Sequence, residues 1–405
     1  MTGELLMNMT TSGLTLISIV VSLPVWLFGL ECILGHRRGT STAPTHRGVG
    51  LRVTVLIPAH NESANIERTL RSVSAQLMPQ DAILVVADNC SDNTAELART
   101  CGAQVHERQH DSLRGKGYAL DHGIKVLDSQ GLAPDIVIMV DADCQVHPGC
   151  IDALVHQCTQ SQGPVQARYL MQAGPDAPLS IKVAALAWLI KNQIRPAGTT
   201  RLGWPCHLTG SGMAFPWSVI RSAPLASGNL VEDMCLGIDL TLAGHPSRYC
   251  EQALVTSEFP VSLEGQASQR TRWEHGHIAT ILEQAPKLLR HGLRNANLPM
   301  IGMALDLCIP PLSSLVLMCG AWTLIVLAFG FLTQHWAPVG PVLAGMITMM
   351  VGFFLAWHRH GRQVVSAHEL WSIPRYVGRK LPIYLGFFTK RQVAWVRTRR
   401  DDGQK

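Results

Sequence analysis

Three apolar stretches constrain this chain more than any other feature. Gly13 to Leu34 is one such run, with Glu31 its only charged residue. Its length matches the ~20 residues that a helix needs to cross a bilayer. His36, Arg37 and Arg38 follow it, whereas a cleaved leader carries its positive charge ahead of the apolar run. The reading is therefore a first span at 13–34, residues 1–12 outside, and a linker at 35–50 on the cytoplasmic side, where basic flanks stay.

A second apolar block, Leu298 to Leu332, exceeds one span and is interrupted by Asp306 and Pro310-Pro311. Residues 278–311 are expected to be amphipathic or interfacial, with the second span at 312–332. After Thr333-Gln334-His335-Trp336, a third span is expected at 337–357, closed by His358-Arg359-His360-Gly361-Arg362. Both basic flanks then face the same side as Arg37, which places a multi-pass chain in a cytoplasmic (inner) membrane. Residues 358–405 form a basic tail with an interfacial helix at Leu381 to Trp395, where Tyr384, Phe387 and Trp395 mix with Lys390 and Arg391. Membrane lipids are thus expected partners.

Composition removes other classes. Charged residues are 16% against 47% hydrophobic, and the net charge of +5 sits largely in the tail, without a basic stripe interleaved with aromatics. That excludes nucleic acid as a partner. Eleven cysteines without a C-x-x-C pair fit neither a disulfide framework nor a zinc site. His275-Gly276-His277 and His358-Arg359-His360 lack further ligands at a suitable spacing.

Between Leu51 and about Glu274 the pattern changes to short β-branched runs separated by helical stretches. Val53 to Ile57, Ile83 to Val86 and Ile136 to Val140 read as buried strands, with Val105 on a shorter one. This alternation predicts an α/β domain at 51–277 with helices on both faces of a sheet. Ligands of such sheets bind beyond the carboxyl ends of the strands. Those ends deliver Pro58-Ala-His-Asn-Glu62, Asp88-Asn-Cys-Ser-Asp92 and Asp141-Ala-Asp143. Asp92 also suits a helix cap. Paired carboxylates such as Asp141 and Asp143 suit Mg2+ or Mn2+, hard cations shared between carboxylates and phosphates.

Further along stand Gly115-Lys116-Gly117, Gly210-Ser211-Gly212, Glu232-Asp233 and Gln269-Arg-Thr-Arg-Trp273. Glycines permit close backbone approach, so Gly212 is a candidate beside an acceptor. Glu232 and Asp233 also suit the start of a helix. Arg272 and Trp273 taken by themselves suit an interfacial anchor, and they also offer a planar fork for phosphate oxygens and a flat face for a sugar ring. Ile278 to Leu293 has one apolar stripe at helical spacing, fit either for the membrane surface or for the catalytic core, and Leu179 to Ile194 shares that ambiguity.

In this order the motifs resemble those of family-2 glycosyltransferases, and the chain looks like their membrane-integrated branch, which includes cellulose, hyaluronan and poly-N-acetylglucosamine synthases and ceramide glucosyltransferase. The resemblance covers residues 53–277. It implies a GT-A (Rossmann-like) catalytic domain and an inverting, metal-dependent transfer from a nucleotide-sugar. Pro58, Glu62 and Asp88 would then surround the nucleoside, Asp88 meeting the base. Asp143 would bind the metal, Asp141 would lie nearer the ribose or the metal's water shell, and Lys116 and Arg272 would face the diphosphate. Asp233 would be the general base, with Gln269, Trp273 and Gly212 on the acceptor side. The family's usual first aspartate after the second strand is Ala87 here, which leaves base selectivity open.

The reading that follows is transfer from a UDP-sugar to a growing cell-surface glycan, exopolysaccharide or lipid-linked. Three spans are few for a private polymer channel, so an export or polymerisation partner is expected. A single sugar placed on a membrane lipid is the alternative. A catalytically inactive sensor of nucleotide-sugars is the third, and retention of Asp143, Asp233 and Trp273 argues against it.

Overall fold

The computed structural model describes residues 2–37, 47, 50–174, 176–229, 231–260 and 263–389. Residues 390–405 of the expected tail, among them Lys390, Arg391 and Trp395, lie outside the described residues, as does most of the linker. The chain divides into two compact units.

One unit comprises the described residues of Gly39–Ala177 and Trp204–Gly276. Its strands are β1 (Val53–Ala59), β2 (Ala82–Asp88), β3 (Gln104–Arg108), β4 (Ile136–Met139), β5 (Gln145–Val146), β6 (Val165–Gln172), β7 (Met213–Pro216) and β8 (Arg248–Glu258). They form one sheet in the order β3-β2-β1-β4-β7-β6-β8-β5. The first four strands are parallel, and β7 is antiparallel to both β4 and β6. The expected strand runs fall on β1, β2 and β4, and Val105 falls on β3.

Parallel strands need crossovers, and helices supply them here. These are α2 (Ile66–Ser74), α3 (Thr94–Thr100), α4 (Lys116–Ser129) and α5 (Cys150–Ser161), followed later by α8 (Trp217–Ile220) and α9 (Glu232–Leu242). Leu120, Ile124 and Leu127 of α4 and Leu236 and Leu240 of α9 pack with Leu56, Leu84, Val86, Val137, Met139 and Phe215 of the sheet. Covered strands carry apolar residues on both faces, and β4 reads Ile-Val-Ile-Met, all buried. The carboxyl ends of β1, β2 and β4 are thereby fixed side by side on a rigid core.

The other unit comprises Met1–Arg38, Pro178–Gly203 and His277–Arg391. It contains α1 (Thr2–Gly35), α6 (Leu179–Leu189), α7 (Arg195–Arg201), most of α10 (Leu263–Arg294), α11 (Leu298–Leu307), α12 (Leu312–Thr333), α13 (Val339–Ala356), α14 (Ala367–Leu370), α15 (Ile373–Gly378) and α16 (Leu381–Thr389). π-helical turns at Ile190–Ile194 and Trp357–Gly361 continue α6 and α13. Gly3–Gly35, Leu312–Thr333 and Val339–Gly361 are long and apolar enough to cross a membrane. The first helix starts at Thr2, well before the apolar run read from Gly13, and the pause between α11 and α12 falls at Cys308 to Pro311.

Within this unit α1 and α13 touch backbone to backbone. A methyl group on Gly29 would sit 2.5 Å from the Thr348 carbonyl, and one on Gly352 would sit 2.6 Å from the Gly29 oxygen. Close helix contact of this kind drives association where lipid gives no hydrophobic push. Glu31 is fully buried, and its Oε2 accepts from Arg195 Nε at 2.7 Å. Arg195 also pairs with Asp306 of α11. On α10, Ala285 and Leu288 are buried, whereas Leu282 and Leu293 are 64% and 62% exposed. Leu179 to Ile194 belongs to this unit, with Ile181, Leu186, Ile190 and Ile194 buried.

Candidate active site

Two loops beyond β1 and β2 are laced together. His60 Nδ1 lies 2.7 Å from the Asp88 carbonyl, which can only accept, so that nitrogen donates. Asn61 takes the Ser91 N–H at 2.7 Å, and the Glu62 N–H donates to Thr94 Oγ1 at 2.8 Å. Asp92 accepts from the Thr94 hydroxyl at 2.5 Å and from the Thr94 and Ser63 backbones at 3.1 Å each. Partial burial opposes charge on Asp92, but these bonds outweigh it and hold the carboxyl below its ordinary value. Asp92 therefore serves the loops, and Pro58, Glu62 and Asp88 line the cleft they frame.

That cleft encloses about 730 Å³. Asp141, Asp143, Lys116, Gln269 and Arg272 also line it. Residues far apart in sequence thus share one cavity because three parallel strand ends and the starts of α4 and α10 meet there.

The turn after β4 is built to hold carboxylates. The Cys144 N–H bonds the Asp141 carbonyl at 3.1 Å, and Thr69 Oγ1 donates to the Ala142 carbonyl at 2.8 Å. Asp141 N–H in turn donates to Ser211 Oγ at 3.1 Å. Donor atoms of Asp141, Asp143 and the buried Cys144 all lie within 4.8 Å of one another. Two hard oxygens so placed fit Mg2+ or Mn2+, with room in the cleft for phosphate oxygens and water to complete the shell. Burial pushes the Cys144 thiol up, with Asp143 and Asp141 adding to it, so sulfur remains a weak competitor.

Lys116 Nζ stands 2.5 Å from Asp141 Oδ1 and donates to the Gly210 carbonyl at 2.6 Å. Burial works against its ammonium, but Asp141, Glu232 and Asp233 hold the lysine above its ordinary value. Burial likewise lifts Asp141, against the pull of Lys116 and with the push of Asp143.

Gly210, in a left-handed conformation at φ +96°, is the hub. A Cβ there would lie 3.2 Å from Asp233 Oδ2, 3.4 Å from Lys116 Nζ and 3.9 Å from Asp141 Oδ2. Asp233 is thereby placed with the β4 carboxylates although it is not among the residues lining the cleft. It sits in the first turn of α9, where the helix dipole favours a carboxylate.

Gly212 departs from expectation. Its N–H bonds the Met139 carbonyl at 2.9 Å, its carbonyl accepts from Ala167 at 2.8 Å, and a methyl group there would meet Ala167 and Val255 at 2.7 and 2.8 Å. Gly212 is a packing residue of the sheet, and the close approach belongs to Gly210. Trp273 is half-buried on α10 and is not among the cleft-lining residues, whereas Gln269 and Arg272 of that helix are. Sequence reasoning missed Arg108, Arg114 and Tyr118. Arg114 and Tyr118 line the cleft, and their adjacency to Lys116 was the available signal. Arg108 bonds Asp88 at 2.5 Å and faces it across the β2–β3 register, which no linear motif reveals.

A family model described as "Glycosyltransferase like family 2" matches residues 51–276. The chain is 28% identical over 284 residues to 4,4'-diaponeurosporenoate glycosyltransferase of Staphylococcus haemolyticus, covering 65% of this chain and 69% of that protein. It is 27% identical over 242 residues to poly-beta-1,6-N-acetyl-D-glucosamine synthase of Staphylococcus aureus, covering 57% of this chain and 55% of that one, so it spans about half of that relative's length. Among solved structures, a mannosyltransferase of Pyrobaculum calidifontis, in complex with GDP-Man and Mn2+, aligns over 94% of this chain and 99% of its own, at a TM-score of 0.50 and 15% identity. That likeness concerns the fold, which is of the GT-A kind. The chain belongs to the family-2 glycosyltransferases and carries three helices apolar and long enough to span a membrane.

Proposed function

We propose that this protein is an inverting glycosyltransferase that moves a sugar from a UDP-sugar to a growing cell-surface glycan at the cytoplasmic face of a membrane. The observation that carries the reading is the convergence of Asp141, Lys116 and Asp233 on Gly210, beside a cleft that Asp143 also lines.

In this reading Pro58, Glu62 and Asp88 hold the nucleoside. Asp143 would hold Mn2+ or Mg2+, with Asp141 nearer the ribose or beside the cation, and such a cation would supply charge to offset the departing diphosphate. Arg272 grips diphosphate oxygens in its planar fork of donors. Lys116 adds positive charge to that side of the cleft while keeping Asp141 aligned. Asp233 takes the proton from the acceptor hydroxyl as its oxygen attacks the anomeric carbon from the face opposite the nucleotide. Gln269 and Trp273 serve the acceptor side.

The same chemistry suits one sugar placed on a membrane lipid. That alternative is supported by similarity to a relative named for 4,4'-diaponeurosporenoate rather than for a polymer. Mass spectrometry of the product separates the two: a ladder of masses supports the polymer, and one added hexose on a lipid supports the alternative.

Asp233→Asn should keep UDP binding and lose transfer by roughly 10²–10⁴-fold. Asp143→Ala, or treatment with a chelator, should weaken nucleotide binding measured by calorimetry. Transfer at wild-type rates by both variants would show the roles to be misassigned.

A further inference from the structure

Asp88 is 5% exposed and lines the cleft from the end of β2. Its Oδ1 accepts from Arg108 Nη1 at 2.5 Å and from Asn89 Nδ2 at 3.0 Å. Among the described residues, both of these bonds fall on Oδ1 and none on Oδ2. Arg108 is the register partner of Asp88 on the neighbouring parallel strand, and its guanidinium carbon lies 5.8 Å from the centre of the Tyr118 ring. The position before Asp88 is Ala87, buried at 1% exposure, so no second carboxylate stands beside it.

A carboxylate with both oxygens open can accept two adjacent N–H groups, as guanine offers from N1 and its exocyclic amine. Here Oδ1 already accepts two bonds, from Arg108 and from Asn89, one for each of its lone pairs, so the carboxylate has only Oδ2 left for a base. Uracil presents a single N–H, at N3, flanked by two carbonyl oxygens. Guanine in the same place would bury an amine hydrogen without an acceptor, and an unsatisfied buried donor costs about 1–3 kcal/mol.

We infer that Arg108 determines nucleobase selectivity by occupying one oxygen of Asp88, so that the cleft takes uracil nucleotides in preference to guanine nucleotides. Arg108 is a positioning residue, since it acts through Asp88. The inference rests on the donor assignment above and adds to it a residue and a reason. An amide at position 88 provides a second handle. Arg108 only donates, so it would hold the carbonyl oxygen of the amide and turn its NH2 toward the base. That group pairs with the acceptor N3 of cytosine instead of the N3–H of uracil.

The test is calorimetric binding of UDP, GDP and CDP with Mn2+ to the full-length protein in detergent, for the wild type, Arg108→Met, Arg108→Lys and Asp88→Asn. The wild type should bind UDP about tenfold tighter than GDP, the effect expected of one unpaired buried donor. Arg108→Met should erase most of that ratio by strengthening GDP, and Arg108→Lys, which keeps a charged donor, should restore it. The near-isosteric Asp88→Asn, which does not depend on Arg108→Met folding, should reverse the order of UDP and CDP. Tight UDP binding with the UDP/GDP ratio unchanged in Arg108→Met would overturn this inference alone, and UDP still preferred over CDP in Asp88→Asn would overturn it together with the placing of Asp88 at the nucleoside. Failure of the folded wild type to bind any of the three nucleotides would overturn the donor assignment and this inference together.

Discussion

Glu232 and Asp233 are adjacent at the start of α9, and burial weighs on the first of them. Burial pushes the Glu232 carboxyl up to about 7, with Asp233 adding to the rise against the pull of Lys116. Its folded value thus lies above its ordinary 4.5. Between those two pH values the folded protein holds a proton that the unfolded chain has released, so this residue's contribution to stability falls as pH rises. Glu232→Gln in chelator-treated protein should therefore raise the melting temperature at pH 8 and leave it unchanged at pH 4. An equal shift at both pH values would show that titration is not the cause. At Gly210 the issue is space and backbone together, because a side chain there meets Asp233 Oδ2 and the φ of +96° disfavours one. Gly210→Ala should lower kcat more than it lowers nucleotide affinity, as steady-state rates and calorimetry on the same preparation would show.

Among the elements, α1, α7 and α11 are joined by Glu31, Arg195 and Asp306. Two carboxylates share one guanidinium, whose Nε and Nη2 face different partners. Removing the cation leaves both acids buried without it, and breaking such a cluster costs about 3–5 kcal/mol. Arg195→Met should therefore lower thermal stability in detergent by far more than Glu31→Gln, which keeps a polar partner for the arginine. Comparable melting temperatures for the two variants would mean that the cluster is not what holds these helices. Gly29 and Gly352 act on the same first helix by a different force, and a larger residue at either would push α1 from α13.

At the scale of the molecule, the basic residues flanking the apolar helices propose an orientation. Arg37, Lys287, Arg290, Arg294, Arg359 and Arg362 lie at ends that the positive-inside rule assigns to the cytoplasm, and Gln334 lies between α12 and α13 at the opposite ends. In intact cells, Gln334→Cys should react with a membrane-impermeant maleimide, while Arg362→Cys should react only after permeabilisation. Labelling of Arg362→Cys from outside would invert the arrangement and remove the reading of a cytoplasmic donor site.

Local order was legible wherever one segment carries its own signal. Strands Val53–Ala59, Ala82–Asp88 and Ile136–Met139 announced themselves as β-branched or apolar runs, because a strand covered on both faces has little polar choice. Asp88 and Asp143 follow strands and Lys116 begins a helix, Arg272 belongs to a motif along α10, and the fold gathers all four into one cleft. Relations between segments were not legible. That Arg108 faces Asp88 depends on the β2–β3 register, and that Gly210 rather than Gly212 approaches the carboxylates depends on which glycine the sheet consumes. The sequence by itself determined the apolar spans, the α/β alternation and the types of chemical group at the strand ends, since each depends on neighbours along the chain. Only the tertiary structure decided which oxygens remain open and which glycine meets the charges, because those depend on partners that the chain brings together from dozens of residues away.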